Sequence, residues 1–384
     1  MEIPHNYLPA QYKETGILPI NHNYLPQQFE DYPEILDKIG KLVETCAFTL
    51  GTEVDDFERN ICELTGAEHT IGVGSGTDAL MLSLIAGGIQ PGDEVITTPY
   101  TFFATIGAIV TAGAKPVFVD VDEDYNINAE LIPDAITSKT KAILPVHWSG
   151  LPCDMDKIVH IADDNALFVV EDACHAICAK RNGTNAGRFG LAGCFSMHPL
   201  KNLNVWGDGG YIITDDSDFH DKLVLMRNHG LINRNECAQF TFNSRLDSIQ
   251  AVVANHLLNK IEHITDSRIG NALRYDTLLS EIPEVKTPVR PSNTKQVHHL
   301  YCIRVKERDL LQKYLISQGI DAKVHYPIPM HLQPAAAKYG YKIGDFPICE
   351  SICETVLSLP VHEFISPEDQ AYVAHHIGEF YANR

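Results

Sequence analysis

At 384 residues the chain exceeds one minimal domain, so a large domain with a smaller companion is the natural expectation. Fifty acidic residues against 30 basic ones give a formal net charge of −20, a field that repels nucleic acid and anionic membranes as main partners. The 45% hydrophobic content supplies a core, yet no apolar run reaches the roughly 18 residues of a membrane span.

The N-terminus lacks the basic-then-apolar pattern of a secretory signal, and the ten cysteines are scattered, so reduced thiols in a soluble, cytoplasmic protein are expected. Residues 1–30 read as an N-terminal arm carrying a short repeat, HNYLPAQ (His5 to Gln11) and HNYLPQQ (His22 to Gln28). The repeat is far below the length of a structural repeat unit. It fits either an extended arm with two similar docking points or a duplication with no present role. From Asp31 to Thr65 the periodicity is helical, broken by Gly51.

Strand and helix signals then alternate. Thr70–Val73 is a strand and Thr77–Ala86 a helix; Glu94–Thr97 is a strand, Phe102–Ala112 a helix and Pro116–Val121 a strand. Thr140–Val146 is a strand, Asp154–Asp163 a helix and Leu167–Val170 a strand. Repeated βα units of this length predict an α/β fold, a mostly parallel sheet covered by helices on both faces, with ligands at the carboxyl ends of its strands. Arg245–Ile264 reads as a long helix continuing to Leu279. After Pro283 come the strand Tyr301–Val305 and helices Leu310–Gln318 and Glu350–Leu357. The division expected is a large domain over residues 31–260 and a smaller α+β domain over 261–384.

Three local features point to chemistry. GVGSGTDAL (Gly72 to Leu80) is a strand, a glycine turn and a helix start, whose N–H groups at Gly76, Thr77 and Asp78 suit a phosphate. Asp172 follows the strand Leu167–Val170, placing a carboxylate where strands end. Lys201, inside CFSMHPLKNLNVWGDGG, sits among apolar residues and glycines, a setting that desolvates an amine and makes it nucleophilic. A lysine and such an acid are what pyridoxal phosphate (PLP) asks of a protein: a Schiff-base partner and a counter-charge for the ring nitrogen. Taken singly, each has an ordinary explanation, as a solvated loop cation, a strand meeting water or a plain helix cap.

In order, SGTDAL, GDEVITTPYTFFAT, EDACHA, SMHPLKN, GDGG, NSRLDSIQA and HYPIPMHLQP resemble the sugar aminotransferases of the DegT/StrS type, members of the fold type I group of PLP enzymes. The resemblance runs from about Leu50 to Pro360. It implies a three-layer PLP-binding domain, with Lys201 carrying the cofactor and shuttling a proton and Asp172 on the pyridinium nitrogen. It puts His175 near the ring hydroxyl, Phe102 stacked on the ring, and Gly76, Thr77 and Ser196 on the phosphate. Asn243 would reach the phosphate from a second subunit, implying a homodimer with shared active sites. Arg245, His325, Tyr326 and His331 would meet a nucleotide-sugar substrate, with Arg227 a further candidate for an anion. A satisfied loop histidine is an equal reading of His331. Two positions depart from the family pattern, Thr241 and Asn204, each where glycine is usual.

The related sugar 3-dehydratases carry histidine at the lysine position, so Lys201 favours transamination. The strings NSRLDSIQA and HYPIPMHLQP are more like the branch that aminates C3 of 3-keto nucleotide sugars than the C4 branch, with glutamate the donor implied. A C4 nucleotide-sugar aminotransferase is the alternative, and behind it a PLP-dependent sugar dehydratase or a non-catalytic sensory homologue.

Overall fold

Short apolar runs, most of them followed by a helix, build one seven-stranded sheet in this computed structural model, which describes residues 20–22 and 24–384. Its strands are β1 (His69–Val73), β2 (Glu94–Thr97), β3 (Lys115–Phe118), β4 (Thr140–Ile143), β5 (Phe168–Asp172), β6 (Ala192–Ser196) and β7 (Gly210–Thr214), in the order β1-β7-β6-β5-β4-β2-β3. The four pairings from β3 to β6 are parallel. The last strand, β7, runs antiparallel to both β1 and β6. It passes so close beneath the turn before the first sheet helix that a Cβ at Gly210 would lie 2.4 Å from the carbonyl carbon of Ser75, so only glycine fits there.

The helices α1 (Tyr32–Thr45), α2 (Thr52–Thr65), α3 (Gly76–Ala86), α4 (Phe103–Thr111), α5 (Met155–Asp164), α6 (Ser217–Met226) and α7 (Ser248–Leu258) cover the sheet. Helix α3 is apolar all round, with Ala79 to Leu84 buried, as expected of a helix enclosed on every side. The following α8 (Ile261–Leu279), with α9 (Arg308–Ser317), α10 (Pro347–Thr355) and α11 (Pro367–Ala382), surrounds a three-stranded antiparallel sheet in the order β8-β9-β10 (Val285–Lys286, Tyr301–Val305 and Val356–Leu359). Ala272, Tyr275 and Leu279 of α8 meet Leu311, Leu315, Val373 and Ile377 in that unit's core. A further apolar cluster, with Tyr100 and Trp148 against Cys302, Cys349 and Ile352, joins the two sheets.

Three elements differ from the sequence reading. The long helix expected over 245–279 is two helices that meet at Asn259 and Lys260, where the Lys260 amine pairs with Asp31. The helix expected over 350–357 stops at Thr355, because Val356 and Leu357 are fully buried and pair with β9, so tertiary packing overrides local propensity. In the second repeat copy, Leu25–Gln28 forms a helical turn and not an extended arm; the first copy, His5 to Gln11, lies outside the described residues. Among the described residues, no helix is long and apolar enough to cross a membrane. All ten cysteines are unpaired.

At the end of β5, side-chain alternation sends Glu171 and Asp172 to opposite faces. Glu171 is wholly buried: its carboxylate accepts from the N–H groups of Gly187, Phe189 and Gly190 at 2.7–2.8 Å and from His147 Nε2 at 2.8 Å. His147 Nδ1 accepts from the N–H of Cys153, which fixes the proton on Nε2. Glu171→Ala would strand four donors in the core, so an unfolding free energy about 3–5 kcal/mol lower is expected in urea titration. A loss well under that would show that the loop over 187–190 finds other acceptors.

Candidate active site

Asp172 ends β5 at the carboxyl edge of the sheet, and Lys201 sits on the loop that follows β6. One carboxylate oxygen accepts from Thr105 Oγ1 at 2.7 Å and the other from the N–H of Cys174 at 3.2 Å. Thr105 is held in turn by Thr101 at 2.6 Å, so the carboxylate has a fixed orientation. Thr105 carried no sequence signal beyond its place in the first turn of a helix, and Thr101 none beyond standing just before it. The Lys201 amine has no ion-pair partner among the described residues; burial pulls it below the ordinary lysine value, with Cys174 and Asp172 opposing. It lines a pocket with Cys174, His175, Ser196, Asn202 and Tyr211 that encloses about 220 Å³ of empty space, part of it open to solvent.

The helix start of α3 closes one side. A Cβ at Gly76 would lie 2.6 Å from Ser196 Cβ and 3.0 Å from Cys174 Sγ, so glycine lets the helix terminus press against the strand end. Ser75 caps the helix by accepting from the N–H of Asp78 at 3.1 Å. The expectation that Asp78 offers a free N–H is therefore corrected; Gly76 and Thr77 keep theirs, and Thr77 is exposed.

Aromatic rings wall the opposite side. Phe102, half-exposed at the N-terminus of α4, lies 6.0 Å from Tyr326; Tyr326 is 5.5 Å from Trp148, Trp148 5.3 Å from His175, and His175 4.3 Å from His299. His175 Nδ1 accepts from the N–H of Ser149 at 3.4 Å, leaving its Nε2–H to donate. Burial, then Lys201 and His325, holds His175 well below the ordinary histidine value, so it is neutral at pH 7. Burial, then Lys201 and Lys323, holds His325 down to about 4. Trp148 and His299 were not singled out by the sequence, since nothing in their local spacing separates them from core residues.

The depressed histidines give a pH signature. His325 and His362, the latter also held to about 4, chiefly by burial, bind protons more readily unfolded than folded between about 4 and 6.5. Stability is therefore full above about 6.5 and is lost as pH falls toward 4, by up to about 1.4 kcal/mol per unit for each group. Urea midpoints at pH 7, 6 and 5 should fall less steeply for His325→Gln than for the wild-type chain. Equal slopes would assign the loss elsewhere.

The remaining candidates lie apart from Lys201. Arg227 is taken up internally, donating to Glu58 and to the carbonyl of Gly72, and is not available to an anion. Its sequence context, a charged turn, resembled a surface site because Glu58 is distant in the chain. Arg245 donates to Asn228 Oδ1 at 2.9 Å, and exposed Asn243 is bridged through its backbone to the same Asn228. Between them, Ser244 accepts from the N–H of Gly74 at 3.2 Å and donates to Asp78 at 2.8 Å, tying the segment to the α3 turn. His331 is fully enclosed, 3.1 Å from Glu350 and 4.7 Å from the ring of Phe346, with Nδ1 unpaired.

Residues 30–378 match the model of the DegT/DnrJ/EryC1/StrS aminotransferase family. The chain is 43% identical over 352 residues to a pleiotropic regulatory protein of Geobacillus stearothermophilus, covering 91% of this chain and 95% of that one. It is 40% identical over 342 residues to a UDP-N-acetyl-3-dehydro-alpha-D-glucosamine 3-aminotransferase of Acidithiobacillus ferrooxidans, covering 89% and 92%. Its fold superposes on Streptomyces venezuelae DesV, solved in complex with a ketimine intermediate, with a TM-score of 0.93 at 35% identity, over 96% of this chain and all of that one. The chain therefore belongs to the DegT/DnrJ/EryC1/StrS aminotransferase family.

Proposed function

We propose that this enzyme is a PLP-dependent aminotransferase of nucleotide-linked keto sugars, acting at C3 of a 3-keto or 3-keto-deoxy hexose with L-glutamate as amino donor. The observation that carries the reading is the unpaired, part-buried Lys201 amine beside the anchored carboxylate of Asp172. The product would be an amino sugar for a surface polysaccharide or a natural product.

The residues present fit the cofactor: an amine without a counter-ion, a carboxylate with both oxygens oriented, a helix start whose Gly76 and Thr77 N–H groups remain free, and a ring-lined wall. When bound, PLP supplies an electron sink and a carrier for the amino group. Lys201 holds it and moves a proton at Nζ. Its basicity, lowered chiefly by burial, favours the neutral amine that can accept that proton. Asp172 keeps a positive charge on the ring nitrogen, with Thr105 and Cys174 setting its angle. His175, with Nδ1 taken by Ser149, would offer its Nε2–H to the ring hydroxyl, and Phe102 would cover one ring face. Gly76, Thr77 and Ser196 hold the phosphate at the helix terminus, local donors that a chain of net charge −20 requires.

His325 and Tyr326 border the sugar, Arg245 meets the diphosphate, and His331 shapes its loop from beneath through Glu350. Asn243 serves the phosphate of a second copy, making the enzyme a homodimer. Support comes from the apolar surface of the neighbouring segment, where Phe240 is 101% exposed and Ile232 63% exposed. The division at residue 260 and a cytoplasmic location belong to the same reading.

The G. stearothermophilus relative's regulatory name raises a non-catalytic alternative, which an intact lysine and its partners do not favour. Incubation of the PLP-loaded enzyme with L-glutamate should yield the pyridoxamine phosphate form, and a UDP- or dTDP-linked 3-keto hexose should then return it with formation of the amino sugar, read by mass spectrometry. Absence of conversion with every amino donor would sink the reading.

A further inference from the structure

In the second copy of the repeated heptad, Tyr24 and Gln28 reach the loop that carries Lys201. Tyr24, 3% exposed, donates its hydroxyl to the main-chain carbonyl of Lys201 at 3.3 Å. Asn204 Nδ2 donates to the same carbonyl at 2.9 Å and to Gln28 Oε1 at 2.6 Å. Two side chains thus converge on one carbonyl, and the second is itself aimed by Gln28.

The other ends of these residues are fixed to the C-terminal unit. Gln28 Nε2 donates to Glu363 at 3.2 Å, and Glu363 lies 3.4 Å from Arg268. The Arg268 guanidinium sits 4.8 Å above the Tyr24 ring, which stacks on His362 at 5.2 Å. His362 Nε2 donates to the carbonyl of Asn21 at 2.9 Å. Ile20 pairs in parallel with Ile320, its N–H donating to Gly319 and its carbonyl accepting from Asp321. Residues 20–22 and 24–28 therefore tie the C-terminal unit to the catalytic loop as a strap.

Asn204 is fully buried and leaves its Oδ1 without a partner. A buried orphan acceptor costs stability. That cost is consistent with a residue kept for what its Nδ2 does.

We infer that Tyr24 and Gln28, the latter through Asn204, are positioning residues for amino transfer: they clamp the Lys201 carbonyl and so fix the backbone from which the reactive amine projects. The inference rests on the proposed role of Lys201. It gives the heptad a function and accounts for a second anchor of the loop besides its own turn, in which the Lys201 N–H donates to His198.

The test uses the full chain loaded with PLP, comparing Tyr24→Phe and Gln28→Leu with the wild type. The phenylalanine variant removes one hydroxyl and keeps the stack, so it folds even if the leucine variant does not. Each should release cofactor on dilution roughly three- to ten-fold faster and lose kcat by a similar factor, the size of one hydrogen bond, with KM for L-glutamate unchanged. A residue needed only for folding would lower the melting temperature without splitting kcat from KM. Tyr7→Phe, the matching change in the earlier heptad copy, should leave release and kcat unchanged. Wild-type release and kcat in both strap variants overturn the inference, as does a Tyr7→Phe effect equal to that of Tyr24→Phe. Failure of the wild-type chain itself to hold PLP on Lys201, shown by borohydride reduction and peptide mass, overturns the functional reading instead, so the two failures are told apart.

Discussion

Lys201→Ala is expected to lower kcat for the glutamate half-reaction by about 10⁴-fold, the upper end of what a positioned proton-transfer group contributes. The amine is the only group in the pocket placed both to hold the cofactor and to move a proton, and its setting supplies the reactivity: burial lowers its basicity, and no carboxylate pairs with it among the described residues. Borohydride treatment followed by peptide mapping should fix the cofactor on the peptide containing Lys201 in the wild-type chain and leave none in the variant. The variant should still fold, because losing an unpaired amine strands no partner. Added methylamine should return part of the activity, whereas a misfolded variant would gain nothing. Activity near that of the wild type would remove Lys201 from the chemistry.

Asp172→Asn is expected to separate attachment from turnover. The amide keeps the size of the carboxylate and can still accept one of its two hydrogen bonds, from Thr105 or Cys174, but it carries no charge to hold a proton on the ring nitrogen. The loss of one buried charge pair is worth about 3–5 kcal/mol, or roughly 10²–10⁴-fold in kcat. Cofactor should remain fixed to Lys201 on reduction. Thr105→Ala removes only an orienting bond and should cost about ten-fold or less. An Asp172→Asn enzyme with wild-type kcat, measured in the same half-reaction, would assign the ring nitrogen to another group.

Much of this was legible in the chain. The βα alternation gave the large sheet because strands buried on both faces carry short apolar runs, as at Phe168, Val169 and Val170 in β5. The glycine turn at Gly76, Asp172 at a strand end and Lys201 among small residues were visible because each is a local pattern. What was hidden depends on distance along the chain. Thr105 meets Asp172 across 67 positions, Arg227 meets Glu58 across 169, and Tyr24 meets Lys201 across 177, and none of these pairings leaves a trace in spacing. His331 reads equally as a ligand-facing or a satisfied loop histidine in the sequence, because Glu350 and Phe346, which enclose it, are 19 and 15 positions away. The end of α10 was misjudged for the same reason: Val356 and Leu357 belong to a strand only because β9 lies beside them.

The adjacent acids at the end of β5 have a consequence for how the chain tolerates change. Their order is not interchangeable, although Glu-Asp and Asp-Glu have the same composition and charge. Glu171 needs its extra methylene to reach three amides and an imidazole on one face, and Asp172 needs its shortness to stop beneath the cleft on the other. The inner acid also works as a detent: with its oxygens taken up, the strand cannot slide by one residue without tearing out every one of those bonds. The accuracy with which Asp172 is presented is thus inherited from a neighbour that never faces the cleft.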